Sequence, residues 1–215
     1  MRHLSPVRLG AVLLALLALT ITARAAEMPP PAARSCLECH SLPGLREHPQ
    51  APLLHGQDKR YLTHQITAFQ RGLVPGQGGF ARLDRKHPVM SGKAKQLDSK
   101  DMDAVAGWFS AHACLSARTI DAAPETPRPP DALVSRCLFC HGQGGRNQHA
   151  YVPNLAGQRR AYLENQLRSF RDTTWRDAVG PEASRHHSMM SRQGAYLTDA
   201  DIGVLAGYFA GLPCR

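Results

Sequence analysis

Cys36-Leu37-Glu38-Cys39-His40 recurs as Cys137-Leu138-Phe139-Cys140-His141, an offset of 101 residues, and these two Cys-x-x-Cys-His sequences constrain the chain more than any other feature. The spacing is the covalent attachment signal of a c-type haem: two thiols add across the vinyl groups, and the His one helical turn on reaches the iron as proximal ligand. The reading is two covalently attached haem c groups, held by Cys36 and Cys39 and by Cys137 and Cys140, with His40 and His141 as iron ligands. Zinc or a thioredoxin-like redox pair is the competing reading of Cys-x-x-Cys, and the His in both copies argues against it.

Residues 1–26 read as a secretory signal peptide: Arg2 and Arg8 lie in front of an apolar run from Leu9 to Ile21, and Ala23-Arg24-Ala25 follows. Cleavage is expected after Ala25 or Ala26. The run is 13 residues long, short of the ~20 that span a bilayer, so an uncleaved anchor is the lesser alternative. A soluble periplasmic protein is the expectation. Loss of Arg2, Arg8 and Arg24 would lower the formal charge from +9 to +6. The basic residues are scattered and come with no nucleic-acid motif, so the charge is read as a solvated surface that steers docking to an acidic patch on a redox partner.

The duplication extends well past the motifs. At an offset of 101, Pro52, Leu54, Gly56-Gln57, Tyr61-Leu62, Gln65 and Phe69 match Pro153, Leu155, Gly157-Gln158, Tyr162-Leu163, Gln166 and Phe170. At an offset of 100, His87, Met90, Ser91, Leu97, Asp101, Phe109 and Cys114 match His187, Met190, Ser191, Leu197, Asp201, Phe209 and Cys214. Two haem domains follow, at 27–120 and 132–215, joined by a linker at 121–131 whose four prolines favour extended structure. At this size a large buried cofactor supplies core that side chains alone would not.

The fold class is all-α. The haem motifs sit on short helices, and Gln57 to Arg71 is expected to form a second helix with Tyr61, Gln65 and Phe69 on one face. Asp98 and Thr198 stand as N-caps of the terminal helices. Gly107 and Gly207 inside those helices suggest close crossing against the N-terminal haem helix, and no strand pattern is visible.

The sixth iron ligand decides between electron transfer and chemistry: sulfur opposite His closes the iron and raises its potential. Recurrence at equivalent positions points to Met90 and Met190. Met189 is the rival in the second domain, but its counterpart Val89 cannot ligate; His87 and His187 keep a His/His pair open. A backbone carbonyl beside Pro52 or Pro153 is placed to accept the proton of His40 or His141 and so fix its tautomer. Arg85 and Arg185 are candidates to pair with haem propionates. Cys114 and Cys214 remain after the haem cysteines, an even pair suited to an interdomain disulfide in an oxidising compartment.

Taken together, the two motifs, Pro153-Asn154-Leu155-Ala156-Gly157-Gln158, the Tyr162-Leu163, Gln166-Leu167, Phe170 run and the segment from Leu197 to Phe209 resemble the dihaem cytochrome c4 family. The resemblance covers essentially the mature chain, more closely in its second half. It implies two tandem cytochrome c folds related by pseudo-twofold symmetry, propionate edges facing across the interface, and His/Met ligation in both. It also implies a periplasmic electron carrier, often membrane-associated, that feeds a terminal oxidase from a quinol-oxidising complex. Two departures stand out: His55 where the second copy has Ala156, and the extra pair Cys114 and Cys214.

Outer-sphere electron transfer without substrate chemistry is the leading expectation, with a quinol-oxidising complex, a terminal oxidase or a dehydrogenase as partner. A cytochrome subunit of an oxidoreductase, such as flavocytochrome c sulfide dehydrogenase, is the alternative. A dihaem peroxidase or thiosulfate-oxidising enzyme is a third, and would need an open iron position.

Overall fold

The structure is a computed structural model that describes residues 28–72, 83–122, 126–147, 149–172 and 184–214. The expected leader at 1–26 and part of the linker lie outside the described residues. In the first module a 3-10 turn at Pro31–Ala33 leads into α1 (Arg34–His40), followed by α2 (Leu42–Glu47), α3 (Lys59–Arg71), β1 (Leu83–Lys86), α4 (Pro88–Ala94) and α5 (Ser99–Ala111). After the short α6 (Ala117–Ile120), the second module has α7 (Asp131–His141), a 3-10 turn at Gln143–Gly145, α8 (Arg160–Asp172), β2 (Ser184–His187), α9 (Ser188–Gly194) and α10 (Asp199–Gly211).

Side-chain caps set the helix starts. Asp58 Oδ1 accepts from the Tyr61 N–H at 2.7 Å, which starts α3 at Lys59 rather than at Gln57. Asp98 caps α5 through the Asp101 N–H at 2.8 Å. Thr198 forms a reciprocal box with Asp201 at the head of α10. The stripe Tyr61, Leu62, Gln65 and Phe69 is buried as its periodicity requires, and Tyr61 and Leu62 pack with Ala33, Val105, Ala106 and Phe109 into one core. The second module repeats this with Val134, Leu138, Leu163, Leu205, Ala206 and Phe209.

Two expectations need correcting. A strand exists in each module: β1 pairs antiparallel with β2 across the module boundary, with Arg85 opposite Arg185 at the centre of the register. Its polar sequences, Leu83-Asp84-Arg85-Lys86 and Ser184-Arg185-His186-His187, lack apolar alternation because the ladder packs through its arginines. Nor do Gly107 and Gly207 mark a crossing against the haem helix. A Cβ on Gly107 would meet the Lys59 side chain, and one on Gly207 would lie 2.9 Å from Thr126 Oγ1.

The modules are also bound through their loops, in matched pairs. The Gln57 amide brackets the backbone of Asn154, accepting from its N–H at 2.9 Å and donating to its carbonyl at 3.0 Å. Gln158 does the same to Leu53, at 2.9 and 3.0 Å. Cys114 and Cys214 form a disulfide with Cα atoms 5.9 Å apart. Gly56 and Gly157 lie against it at φ 72° and 71°, where a Cβ on Gly56 would lie 2.6 Å from that of Cys114, which accounts for glycine at both positions. Among the described residues no helix is long and apolar enough to cross a membrane.

Candidate functional site

His40 closes the last turn of α1 and is buried, its Nδ1 3.0 Å from the Pro52 carbonyl oxygen. His141 repeats this at the end of α7, 3.0 Å from the Pro153 carbonyl. With Nδ1–H donating to that carbonyl, Nε2 carries the lone pair and is oriented as a ligand. Burial pushes the His40 imidazole down to about 4, against the opposing pull of the Pro52 carbonyl. Burial also lowers His141. Both rings are therefore neutral near pH 7, the state that binds a metal. The four motif cysteines stand outside any disulfide, and burial raises the thiols of Cys36 and Cys137.

Met90 and Met190 sit in the first turn of α4 and α9, both half-buried. His87 and His187 precede these helices as N-caps. His87 Nδ1 accepts from the N–H groups of Val89 and Met90 at 3.2 and 3.3 Å, and its own N–H donates to Ser91 Oγ at 3.1 Å. His187 Nδ1 accepts from the Met190 N–H at 3.4 Å. The duplicated His thus has a local task beside each Met, the positioning of its turn. The neighbouring side chains Met189 and Val89 are 45% and 52% exposed.

Between the modules lies a polar cluster that the sequence only hinted at. Arg85 and Arg185 are both buried. Arg85 donates to Gln65 Oε1 at 2.8 Å, to Tyr162 OH at 3.1 Å and to Gln166 Oε1 at 3.2 Å. Arg185 mirrors it, donating to Gln166 Oε1, Tyr61 OH and Gln65 Oε1, each at 2.9 Å. The guanidinium groups lie over Phe69 and Phe170, at 4.2 and 4.6 Å. Among the described residues no carboxylate pairs with either cation, and the Arg185 Nε–H is buried without a partner. Burying charge is costly unless an opposite charge compensates it. Two such cations and an orphaned donor suit the carboxylates of haem propionates, so the residues present fit the group that the motifs imply.

His55 packs edge-on against Trp108, Phe109 and His112, with centroids 5.1 to 5.6 Å away. Burial, and then His112, lower its pKa. It belongs to an aromatic cluster at the end of α5. One residue escaped sequence reasoning altogether: Arg159, buried, reaches across to the carbonyls of Leu45 and His48 at 2.7 and 2.9 Å and pairs bidentately with Asp121. The signal was a break in the duplication, since its counterpart is Asp58.

Comparison with known proteins agrees with this geometry. The cytochrome c family model matches residues 131–213. Cytochrome c4 of Stutzerimonas stutzeri is 29% identical over 188 residues, covering 82% of this chain and 84% of that protein. The thiosulfate dehydrogenase electron acceptor of Thiomonas intermedia (strain K12) is 27% identical, covering 86% and 81%. Cytochrome c-554(548) of Halomonas halodenitrificans is 30% identical over 77 residues, 36% of this chain and 84% of that one. Among solved structures, reduced recombinant cytochrome c4 from Pseudomonas stutzeri superposes with a TM-score of 0.59 at 26% identity, covering 89% of this chain and 98% of that one.

Proposed function

This chain belongs to the dihaem cytochrome c4 family, and from that premise we propose that it carries electrons in the periplasm from a quinol-oxidising complex or a dehydrogenase to a terminal oxidase. It is a c-type cytochrome with two covalent haem c groups and an electron-transfer protein rather than an enzyme. In this proposal Cys36 and Cys39, and Cys137 and Cys140, hold the haems, and His40 with Met90 and His141 with Met190 ligate the irons. Each haem supplies a one-electron couple.

The observation that carries the reading is the completeness of each module. Both have a buried neutral His locked by a proline carbonyl and a Met on a His-capped turn. A sulfur ligand on each iron raises its potential and closes it to substrate, as a carrier requires. The secretory leader read at 1–26 supports the periplasmic location.

The test is a redox titration of the holoprotein followed by absorbance and magnetic circular dichroism. Met90→Ala and Met190→Ala are each expected to remove about half of the near-infrared sulfur-to-iron band and to lower the potential of one haem only. A band that survives both substitutions would overturn the Met assignment.

A second reading rests on the Thiomonas relative, named as an electron acceptor of thiosulfate dehydrogenase. Here the same relay would serve a dedicated sulfur-oxidising partner. Reduction of the holoprotein by thiosulfate only when such a dehydrogenase is added would favour it, and co-purification with a flavoprotein would favour a sulfide dehydrogenase subunit instead.

A further inference from the structure

The two modules match closely inside but differ where α1 and α4, or α7 and α9, meet the solvent. In the first module this edge is closed by an ion pair, Lys93 Nζ to Glu38 Oε2 at 3.1 Å, linking the haem-motif helix to the Met-bearing helix. The matching positions in the second module are Gln193 and Phe139. Phe139 is 89% exposed. Beside it on the Met-bearing segment, Met189 and Tyr196 are 45% and 76% exposed, where the first module has Val89 and Gln96.

Charge follows the same division. Arg136 and Arg192 are exposed on α7 and α9 and take no ion pair among the described residues, and their counterparts are Ser35 and Gly92. The second module's Asp131, Glu164 and Asp199 are each already held by an arginine. Phe139 lies between Cys137 and Cys140, and Met189 adjoins Met190, so this apolar centre with a basic rim surrounds the shortest route from solvent to the second haem.

We propose that this edge of the second module is the docking face for a redox protein whose own cofactor edge is apolar and ringed by carboxylates, and that the first module has no equivalent face. The inference rests on the carrier reading above. An apolar centre lets the partner exclude water over the electron path, while unpaired arginines steer and orient the encounter. Lys93 and Glu38 neutralise each other on the first module, so it offers neither the apolar centre nor the unpaired charge.

The experiment uses the full-length holoprotein, reduced and mixed in stopped flow with an acidic copper protein of the plastocyanin type, at several salt concentrations. R136E/R192E is expected to lower the bimolecular rate about tenfold at low salt and to flatten its salt dependence. F139A/Y196A should slow transfer at every salt concentration without changing that slope. S35E/G92E makes the matching charge change on the first module, at a glycine with open space around it, and should leave the rate within about twofold. Unchanged absorption and dichroism spectra establish that each variant is folded. Equal losses from the two charge pairs, or no loss from either, would overturn the proposal while leaving the carrier reading intact. A wild-type protein that passes electrons neither to the copper protein nor to hexacyanoferrate would instead overturn the carrier reading and this face with it.

Discussion

At the centre of the module boundary a guanidinium from each half donates to Gln and Tyr side chains of both, in a place shielded from water. Arg185→Met would leave Tyr61 OH and one lone pair each of Gln65 and Gln166 unsatisfied, an expected loss of about 3 kcal/mol in denaturant unfolding. It would also lower the potential of the nearer haem, because a positive charge favours the reduced iron. Arg185→Lys should recover part of the potential but less of the stability, since an ammonium lacks the planar fork that spans three acceptors. Individual residues were unevenly legible. Motif chemistry made the haem cysteines and His40 and His141 readable, and the repeated prolines pointed to the carbonyls that hold them. His87 could not be sorted between iron ligand and cap, because both roles ask for a His beside the Met. Arg159 left only a mismatch, because its partners are backbone carbonyls of a distant loop, to which no residue pattern corresponds.

Helix ends were readable to within a turn, because a cap is local: Asp98 and Thr198 do what their spacing to Asp101 and Asp201 requires. Thr198→Ala is expected to cost about 1 kcal/mol in thermal or denaturant unfolding. The hydrogen bonds from Thr198 hold the Asp201 carboxyl below the usual carboxylate range. Its folded pKa is thus below its unfolded one, so its contribution is full above the ordinary value of about 3.9 and fades as pH falls through the folded value. The difference between wild type and Thr198→Ala should accordingly narrow in acid, and a constant difference from pH 7 to pH 2.5 would remove the carboxylate from the account. The strands were hidden for the opposite reason. Each four-residue segment has its partner about a hundred residues away, and its buried face is arginine rather than a run of apolar side chains.

For the whole molecule, duplication was the strongest signal in the chain, and it carried the all-α fold and the two-module plan. It did not show how the modules face each other, which depends on pairs such as Gln57 with Asn154 that neither half contains alone. The Cys114–Cys214 disulfide spans a sequence separation of 100 residues, and closing a loop of that length limits the unfolded chain by at most about 4.7 kcal/mol. Cys114→Ser/Cys214→Ser is therefore expected to lose about 2 to 4 kcal/mol and to split one calorimetric transition into two; superimposable melts would mean that the ladder and the glutamines suffice. The ladder itself has a wider consequence. Because Arg85 faces Arg185 and Leu83 faces His187, its register is isologous, the geometry by which two identical subunits meet about a twofold axis. The chain is in effect a homodimer made continuous. In a true homodimer any change at an electron-transfer edge appears on both subunits at once, whereas here Phe139 can differ from Glu38, so fusion is what gives a symmetric pair of haems an entrance distinct from its exit.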